Sequence, residues 1–253
     1  MTTITIGQRK GGNGKSTSAL NLAHAFALSG KRVLLVDLDD QKNSTSAIET
    51  AAAPRYTVED LLLKDDVSVA DAAAATTWEG VSLIPASGSL SGAIRELDGE
   101  VGSHRALAEK LAAATGFDLC LIDTSPSLNI LVVNALCASR YLFIPLSSKY
   151  FSLQGLGQTL ESFRKVKTRL NAELSILGMA FVIHDGRSVL AREVVAKAQE
   201  TYPDLLCAAC VGQNIKVEEA QVRRRSIFAY APDDRGSVQY RALADELYSR
   251  MEV

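Results

Sequence analysis

The sequence predicts an α/β fold in which helices flank both faces of a mostly parallel, twisted β-sheet. Short apolar runs typical of strands alternate along the chain with segments of helical periodicity. The apolar runs are nearly continuous, as expected of strands buried on both faces, and such strands are typical of parallel sheets. A glycine-rich loop also connects the first of these runs to the first helical segment.

The predicted elements begin with a strand over Thr3–Ile6, a short run of β-branched residues. A helix over 16–29 follows, because apolar residues recur there at helical spacing and Gly30 supplies a stop signal. The alanine-rich segment 51–75 is interpreted as helices and a connection. The other predicted strands are Arg32–Val36, Val81–Ile84, Asp118–Ile122, Tyr141–Ile144 and Leu177–Ile183.

Length and composition favour a single domain. The chain has 253 residues, of which 47% are hydrophobic, enough for one large core, and no repeat or low-complexity tract divides it. We therefore expect one domain over 1–253, without an N-terminal helix-turn-helix extension before the loop. No run approaches the ~20 apolar residues of a membrane span, and the N-terminus lacks a signal-peptide pattern, which predicts a cytoplasmic protein.

The loop after the first strand has the chemistry of a phosphate-binding loop. It reads Lys-Gly-Gly-Asn-Gly-Lys-Ser over 10–16, and its glycines allow successive backbone N–H groups to curl around phosphate oxygens. Lys15 would neutralise the β- and γ-phosphates, and Ser16 would bind Mg²⁺. Arg9 stands where the ordinary motif has its first glycine. Lys10 is a second lysine that such a loop does not require.

Carboxylates follow two other predicted strands. Asp37 and Asp39 come at alternating positions after the second strand, and Asp123 closes the strand over 118–122. Ligands of parallel sheets gather at the carboxyl ends of strands. Asp123 is therefore predicted to hold magnesium directly or through water, and Asp39 to orient an attacking water, with Asp37 supporting either role.

The four cysteines, Cys120, Cys137, Cys207 and Cys210, do not form the pattern of a disulfide framework in a chain of this length. Cys120 and Cys137 lie in apolar runs typical of a core. Cys207 and Cys210 have the spacing of half a metal site, but no second pair completes it. We interpret all four as structural cysteines.

Three motifs together resemble those of the ParA/MinD ATPases, which have a deviant Walker A loop. The loop over 10–16 resembles the deviant Walker A motif, 33–43 resembles the A′ motif and 117–126 resembles the Walker B motif. The likeness extends along the whole chain and is greatest to the ParA branch. The further segments that carry it are 143–146, 150–156, 184–188, 214–220 and 230–233.

The resemblance implies an ATPase that requires ATP and Mg²⁺. In such proteins the lysine matching Lys10 reaches the ATP of the partner in a nucleotide-sandwich dimer, and the lysine matching Lys15 serves its own subunit. The aspartate matching Asp39 positions the hydrolytic water, while the positions of Ser16 and Asp123 hold the metal, with Asp37 as an additional candidate ligand. The implied ATP-binding residues are Lys10, Gly11, Gly12, Asn13, Gly14, Lys15, Ser16, Thr17 and Asn214.

The same resemblance implies partners. ParA dimers bind double-stranded DNA of the nucleoid without sequence preference, and the matching basic positions are Arg187 and Lys216, to which we add Arg223 from the run 223–225. Hydrolysis would be slow alone and stimulated by a ParB-like or other small adaptor protein. The cargo would be a plasmid, a chromosome or another cytoplasmic body.

Four positions depart from the usual pattern of this family. Asp40 and Gly212 replace prolines, Lys42 replaces a frequent glycine, and Ser125 replaces a second common proline. Asp40 and Lys42 add opposite charges beside the A′ motif. None of the four changes removes a phosphate or metal ligand.

Three alternatives remain open. A MinD-like membrane-positioning ATPase would carry a basic amphipathic C-terminal helix, whereas the mixed charges over 238–253 predict a helix that packs on its own domain. A carrier of the nitrogenase iron-protein type would hold an iron–sulfur cluster with cysteines from each subunit. A nonhydrolytic nucleotide-binding module would leave Asp39 without a role.

Overall fold

The computed structural model describes residues 1–88, 90–148, 152–184 and 188–251, with the backbone alone for 152–155. Arg187 therefore lies outside the described residues. The described strands are β1 (Thr2–Ile6), β2 (Val33–Leu38), β3 (Ala74–Ala75), β4 (Val81–Ile84), β5 (Leu119–Thr124), β6 (Tyr141–Ser147) and β7 (Ser175–Ile183). They form one sheet in the order β3–β4–β2–β5–β1–β6–β7.

The described helices cover both faces of this sheet. They are α1 (Lys15–Leu28), α2 (Asn43–Ala47), α3 (Val58–Leu63), α4 (Val69–Ala72), α5 (Leu90–Asp98), α6 (Ala106–Ala112), α7 (Ile130–Ala138), α8 (Ser152–Arg169), α9 (Val189–Thr201), α10 (Ile215–Val222), α11 (Ile227–Tyr230) and α12 (Arg235–Arg250).

The predicted α/β class is confirmed, since the strand pairs are parallel except for β3 with β4. Every strand predicted from an apolar run is present. The antiparallel edge strand β3 was not predicted, because it is two alanines long and lies in the segment interpreted as helices and a connection. Strands β2 and β5 also extend further than predicted, so that Asp37 and Asp123 lie within them.

The helix pair α1 and α12 forms one layer. The apolar side of α12 is buried in the same cluster as the apolar residues of α1. The α12 residues in this cluster are Tyr240, Leu243, Ala244 and Leu247. The expectation that the C-terminal helix packs on its own domain is confirmed. A second apolar cluster contains residues from each of the helices α3, α4, α5, α6 and α7, together with residues of the sheet. A third cluster contains residues of β6, β7, α8 and α9.

The three central strands bring the functional motifs together. In the parallel register, Ile6 of β1 is the partner of Asp123 in β5, and Asp123 is the partner of Asp37 in β2. The loop after β1 and the carboxylates of β2 and β5 therefore meet at one edge of the sheet.

Candidate functional site

The loop between β1 and α1 folds as a cradle in which two glycines have a backbone conformation that favours glycine. Gly12 and Gly14 have φ angles of 73° and 75°, in the left-handed region that favours glycine. A Cβ atom on Gly14 would also lie 2.9 Å from Cγ2 of Val182. Gly14 is the N-cap of α1, which begins at Lys15. The N-terminus of a 14-residue helix thus opens onto the loop, a favourable place for a phosphate.

Lys15 is buried at the base of this loop. Its residue is 6% exposed, and Nζ lies 3.4 Å from the backbone oxygen of Lys10. Burial lowers the pKa of Lys15, while the nearby carboxylates of Asp123 and Asp39 raise it in part. A buried ammonium facing carboxylates is placed to neutralise a polyphosphate that enters the cradle.

The carboxylates of Asp37 and Asp39 accept hydrogen bonds from residues that follow them closely in the sequence. Asp37 Oδ1 accepts the backbone N–H of Asp39 at 3.0 Å, and Asp37 Oδ2 accepts both the N–H and the hydroxyl of Thr45, at 2.8 and 2.7 Å. Asp39 Oδ1 accepts the backbone N–H of Gln41 at 3.0 Å. Asp37 thus fixes the segment 39–45, which we call the A′ loop, and Asp39, which lines the cleft described below, is oriented within it.

Asp123 offers an oxygen to a further ligand. Its Oδ2 accepts the Ser44 hydroxyl at 2.7 Å, whereas its buried Oδ1 has no hydrogen-bond partner among the described residues. Burial, and next the charge of Asp37, raise the pKa of Asp123. An unpartnered buried carboxylate oxygen costs free energy, which a divalent cation would recover.

These features fit Mg²⁺. The ion binds through few protein oxygens and keeps the oxygens of water and substrate phosphates as its remaining ligands. Ser16 at the start of α1 and Asp123 can supply those protein oxygens. No group of three or more histidine, cysteine or acidic side chains in the described ranges forms a metal cage, and the four cysteines are free thiols.

An open cleft of about 700 Å³ lies in front of the loop. We call it the central cleft. Its lining combines the loop and the first turn of α1 with Asp39, α2 and the end of α10. The lining residues are Gly11, Gly12, Gly14, Lys15, Ser16, Thr17, Asp39, Gln41, Asn43, Ser46, Ala47, Pro126, Gln221, Val222 and Arg224.

Side chains connect the part of the central cleft formed by Gln221 and Arg224 to neighbouring segments. Gln221 Nε2 donates to Thr17 Oγ1 at 3.0 Å. Just beyond, Trp78 Nε1 donates to the backbone oxygen of Arg224 at 3.2 Å. The first bond joins the end of α10 to the first turn of α1, and the second joins the turn after α10 to Trp78.

Asn214, a predicted nucleotide contact, lies at the beginning of α10. Asn214 is the N-cap of α10, where Oδ1 accepts the backbone N–H of Lys216 at 2.8 Å and Nδ2 donates to Asp234 at 2.5 Å. Asn214 does not line the central cleft, which is reached by the other end of α10. Its predicted contact with a nucleotide base stays a prediction.

The predicted DNA-binding residues Lys216, in α10, and Arg223, at its C-cap, lie together on an exposed patch. The charged groups of Lys216 and Arg223 each lie 5.7 Å from the ring centroid of Tyr230. Glu219, between them on the helix, accepts Lys216 Nζ at 2.9 Å and the Tyr230 hydroxyl at 2.9 Å. We call Lys216, Glu219, Arg223 and Tyr230 the Tyr230 patch.

Lys165 and Lys167 of α8 make contacts with other residues of the chain. Lys165 pairs with Glu161 at 2.7 Å, and Lys167 Nζ donates to the backbone oxygens of Ala172 and Leu174. In the structure Lys167 caps the turn that follows its own helix.

Sequence reasoning missed Ser44, Thr45 and Gln221. Ser44 and Thr45 lie on α2, a short polar helix without apolar periodicity, and they contact Asp123 and Asp37 from outside the named motifs. Their position directly after the A′ motif was the available signal. Gln221 gave no signal, since its contact with Thr17 joins residues 204 positions apart.

Comparison with protein families agrees with this geometry. Residues 1–176 match a family model described as "AAA domain". The chain is 37% identical over 246 residues to the "Sporulation initiation inhibitor protein Soj" of Bacillus subtilis, covering 96% of this chain and 97% of that protein. It is 35% identical over 250 residues to the "Chromosome partitioning protein ParA" of Caulobacter vibrioides, covering 98% and 94% of the two chains.

A solved structure shows the same fold around a nucleotide. The "Cobyrinic Acid a,c-diamide synthase from Mycobacterium smegmatis with bound ATP analog and Magnesium" superimposes with a TM-score of 0.82 at 30% identity, covering 97% of this chain and 93% of that one. In that protein the ligands are an ATP analogue and magnesium.

Proposed function

The chain belongs to the ParA/MinD family of deviant Walker A ATPases, in its Soj-like ParA branch, and from that premise we propose that it is a partitioning ATPase switched by ATP. Its cofactors are ATP and Mg²⁺. In the ATP state it forms a dimer and binds double-stranded DNA without sequence preference. Hydrolysis, accelerated by a ParB-like or other adaptor protein, releases it.

One observation carries the nucleotide chemistry of this proposal. Buried Lys15 and the buried, unpartnered Oδ1 of Asp123 converge on a glycine cradle at a helix N-terminus. Bound Mg²⁺ would neutralise charge on the phosphates. The loop N–H groups and Lys15 would hold the β- and γ-phosphates. Ser16 and Asp123 would hold the metal, with Asp37 acting through its contacts to Thr45 and Asp39 or through water.

Asp39 is proposed as the residue that orients the attacking water. It is buried, and its Oδ1 is fixed by the N–H of Gln41. Burial raises the pKa of Asp39, which brings the carboxyl closer to the range of a general base. Lys10 is proposed to reach the partner's nucleotide. The remaining nucleotide contacts are proposed for Gly11, Gly12, Asn13, Gly14, Thr17 and Asn214.

The Tyr230 patch is the proposed DNA contact on the described part of the chain, with Arg187 as a further contact. Lys216 and Arg223 lie on one exposed helix face against one aromatic ring, so they can approach neighbouring phosphates together. Each monomer contributes few charges. A dimer doubles them, which makes a weak basic surface effective in the ATP state.

Retention on DNA tests this proposal. We expect the protein with Mg-ATP to bind a DNA column of arbitrary sequence and to elute as salt rises, because phosphate contacts release counterions. The protein with ADP should flow through. A variant with both Lys216→Ala and Arg223→Ala should lose retention while its ATP turnover without DNA stays unchanged. Equal retention with ATP and ADP would contradict the switch.

The MinD-like alternative is not favoured by α12. Its apolar residues Tyr240, Leu243, Ala244 and Leu247 are buried in one cluster with those of α1, and the exposed Val238 alone does not form an apolar face for a lipid surface. No helix in the described ranges is long and apolar enough to cross a membrane. Flotation with liposomes and ATP separates the two functions, since lipid binding without DNA binding would favour the alternative. We propose a cytoplasmic, nucleoid-associated protein of one domain.

A further inference from the structure

Three consecutive arginines after α10 have three different environments. The guanidinium of Arg223 lies over the ring of Tyr230, and Arg225 Nη2 donates to the backbone oxygen of Ala229. Arg224 lines the central cleft. Its guanidinium has no hydrogen bond or ion pair with any residue of the described ranges. One positive charge of this run is therefore available to a ligand in the cleft.

The backbone of Arg224 has the conformation that usually selects glycine. Its φ angle is 53°, and Lys42 is the other non-glycine residue with positive φ in the described ranges. The Arg225 N–H donates to Ala220 O at 2.9 Å and the Arg224 N–H donates to Gln221 O at 3.0 Å. This is the Schellman termination of a helix, in which the left-handed residue is most often glycine. An arginine there has a conformational cost, which is typical of residues with a functional role.

The turn that carries Arg224 is also rigidly supported. Its backbone oxygen accepts Trp78 Nε1 at 3.2 Å, and Trp78 is buried and stacks on His24 of α1 with ring centroids 5.3 Å apart. The neighbouring Gln221 is bonded to Thr17. The backbone from which the guanidinium extends is therefore fixed relative to α1, the helix whose N-terminus forms the phosphate cradle.

From these observations we propose that Arg224 is a nucleotide-binding residue whose guanidinium contacts a phosphate of ATP in the central cleft. The inference rests on the proposed function only in that ATP occupies this cleft. A guanidinium forms charge-assisted, often bidentate bonds with phosphate oxygens, so it adds affinity without taking part in the chemical step. Arg224 is thus assigned to the nucleotide, whereas its neighbour Arg223 belongs to the Tyr230 patch.

Arg224→Gly is the informative variant. Glycine removes the guanidinium and adopts a φ of 53° without strain, so the folded state is preserved. Arg225→Ala is the matched control, because it removes the same charge one residue away. Arg224→Lys retains the charge without the fork. Titration calorimetry with Mg-ATP and with Mg-ADP measures affinity, and thermal unfolding without nucleotide checks the fold.

We expect Arg224→Gly to lower the affinity for both ATP and ADP by roughly tenfold or more. Its unfolding temperature without nucleotide should be at least equal to that of the wild type. Arg225→Ala should stay within about twofold of wild type, and Arg224→Lys should fall between. Equal affinities of Arg224→Gly and wild type would overturn the inference alone. The inference would also be overturned if Arg225→Ala lost as much nucleotide affinity as Arg224→Gly. The same holds if Arg224→Gly kept its ATP affinity but lost retention on DNA at saturating ATP. A wild-type protein that binds no ATP would overturn the proposed function as well.

Discussion

Asp37 and Asp123 are direct register partners on the neighbouring parallel strands β2 and β5. Their carboxyl groups are buried at the same edge of the sheet, and the negative charge of Asp37 adds to burial in raising the pKa of Asp123. Both carboxylate oxygens of Asp37 accept hydrogen bonds, from Asp39 and Thr45, whereas Asp123 has one oxygen without a partner in the described ranges. The pair thus combines one carboxylate that fixes the A′ loop with one that is suited to a cation.

The first prediction concerns pH and magnesium. Burial raises the pKa of Asp123 to about 7. Because this value lies above the ordinary carboxyl pKa of about 4, the folded state retains a proton that the unfolded state releases, and stability falls as pH rises from about 4 to about 7. We expect the unfolding temperature without Mg²⁺ to fall over this range. Mg²⁺ with ATP should reverse the fall, since it stabilises the ionised carboxylate.

Asp123→Asn separates these effects. It keeps the shape of the side chain and removes the buried charge. At neutral pH without Mg²⁺ we expect the variant to unfold at a higher temperature than wild type, while Mg-dependent ATP turnover falls roughly a hundredfold or more. Ser44→Ala is a control for the Oδ2 hydrogen bond alone. An unchanged dependence of turnover on Mg²⁺ in Asp123→Asn would remove Asp123 from the metal site.

A second prediction concerns the two lysines of the loop. Lys15 is buried at the base of the cradle, and its Nζ approaches the backbone oxygen of Lys10, not its side chain. Lys10→Ala should therefore leave ATP binding by the monomer near wild type and abolish the ATP-dependent dimer, as measured by light scattering after gel filtration. Lys15→Ala, by contrast, should lose ATP binding itself. A Lys10→Ala protein that still forms a tight ATP dimer would contradict the proposed role of Lys10.

The central chemistry of the site could be predicted from the sequence because it is local. The loop, Asp39 and Asp123 directly follow or end strands, and parallel strands align their carboxyl ends. The contacts that complete the site are long-range. Gln221 with Thr17 and Trp78 with Arg224 join segments 204 and 146 residues apart, and no periodicity encodes such pairs.

The roles of residues at helix ends were also difficult to predict from the sequence. Asn214 matched a motif segment, yet an asparagine before a helix also caps its N-terminus, and here it does so. Likewise, the three arginines at 223–225 are equivalent in sequence. Only the turn after α10 distinguishes the one that lines the central cleft from the two that do not.

The third prediction follows from the acidic member of the Tyr230 patch. Glu219 pairs with Lys216 and accepts the Tyr230 hydroxyl, so it offsets positive charge on the proposed DNA surface. Glu219→Gln keeps a hydrogen-bonding group and removes the charge. We expect tighter DNA binding with ATP, visible as elution from a DNA column at higher salt, and unchanged turnover without DNA. Glu218→Gln, on the exposed helix surface next to it, is the matched control. Weaker retention of Glu219→Gln than of this control would argue against a DNA contact at the patch.

The last prediction concerns Gly212, which stands where the family usually has proline. Its backbone N–H donates to Gln239 Oε1 at 3.0 Å, and a Cβ atom there would lie 2.1 Å from Nη2 of Arg235. Gly212→Pro removes the donor and displaces the guanidinium of Arg235, so it should destabilise this chain. We expect a loss of about 1–3 kcal/mol, measured by urea unfolding, because Gln239 loses its partner.

Gly212→Ala divides this loss into its two causes. Alanine keeps the N–H, so the bond to Gln239 survives and the flexible Arg235 side chain must move aside. Its cost should be well below that of proline, and Arg235→Ala should reduce it further. If Gly212→Pro were as stable as wild type, the bond to Gln239 would be dispensable. Such a result would mean that the Gly212 backbone can separate from α12 without cost, contrary to the packing described here.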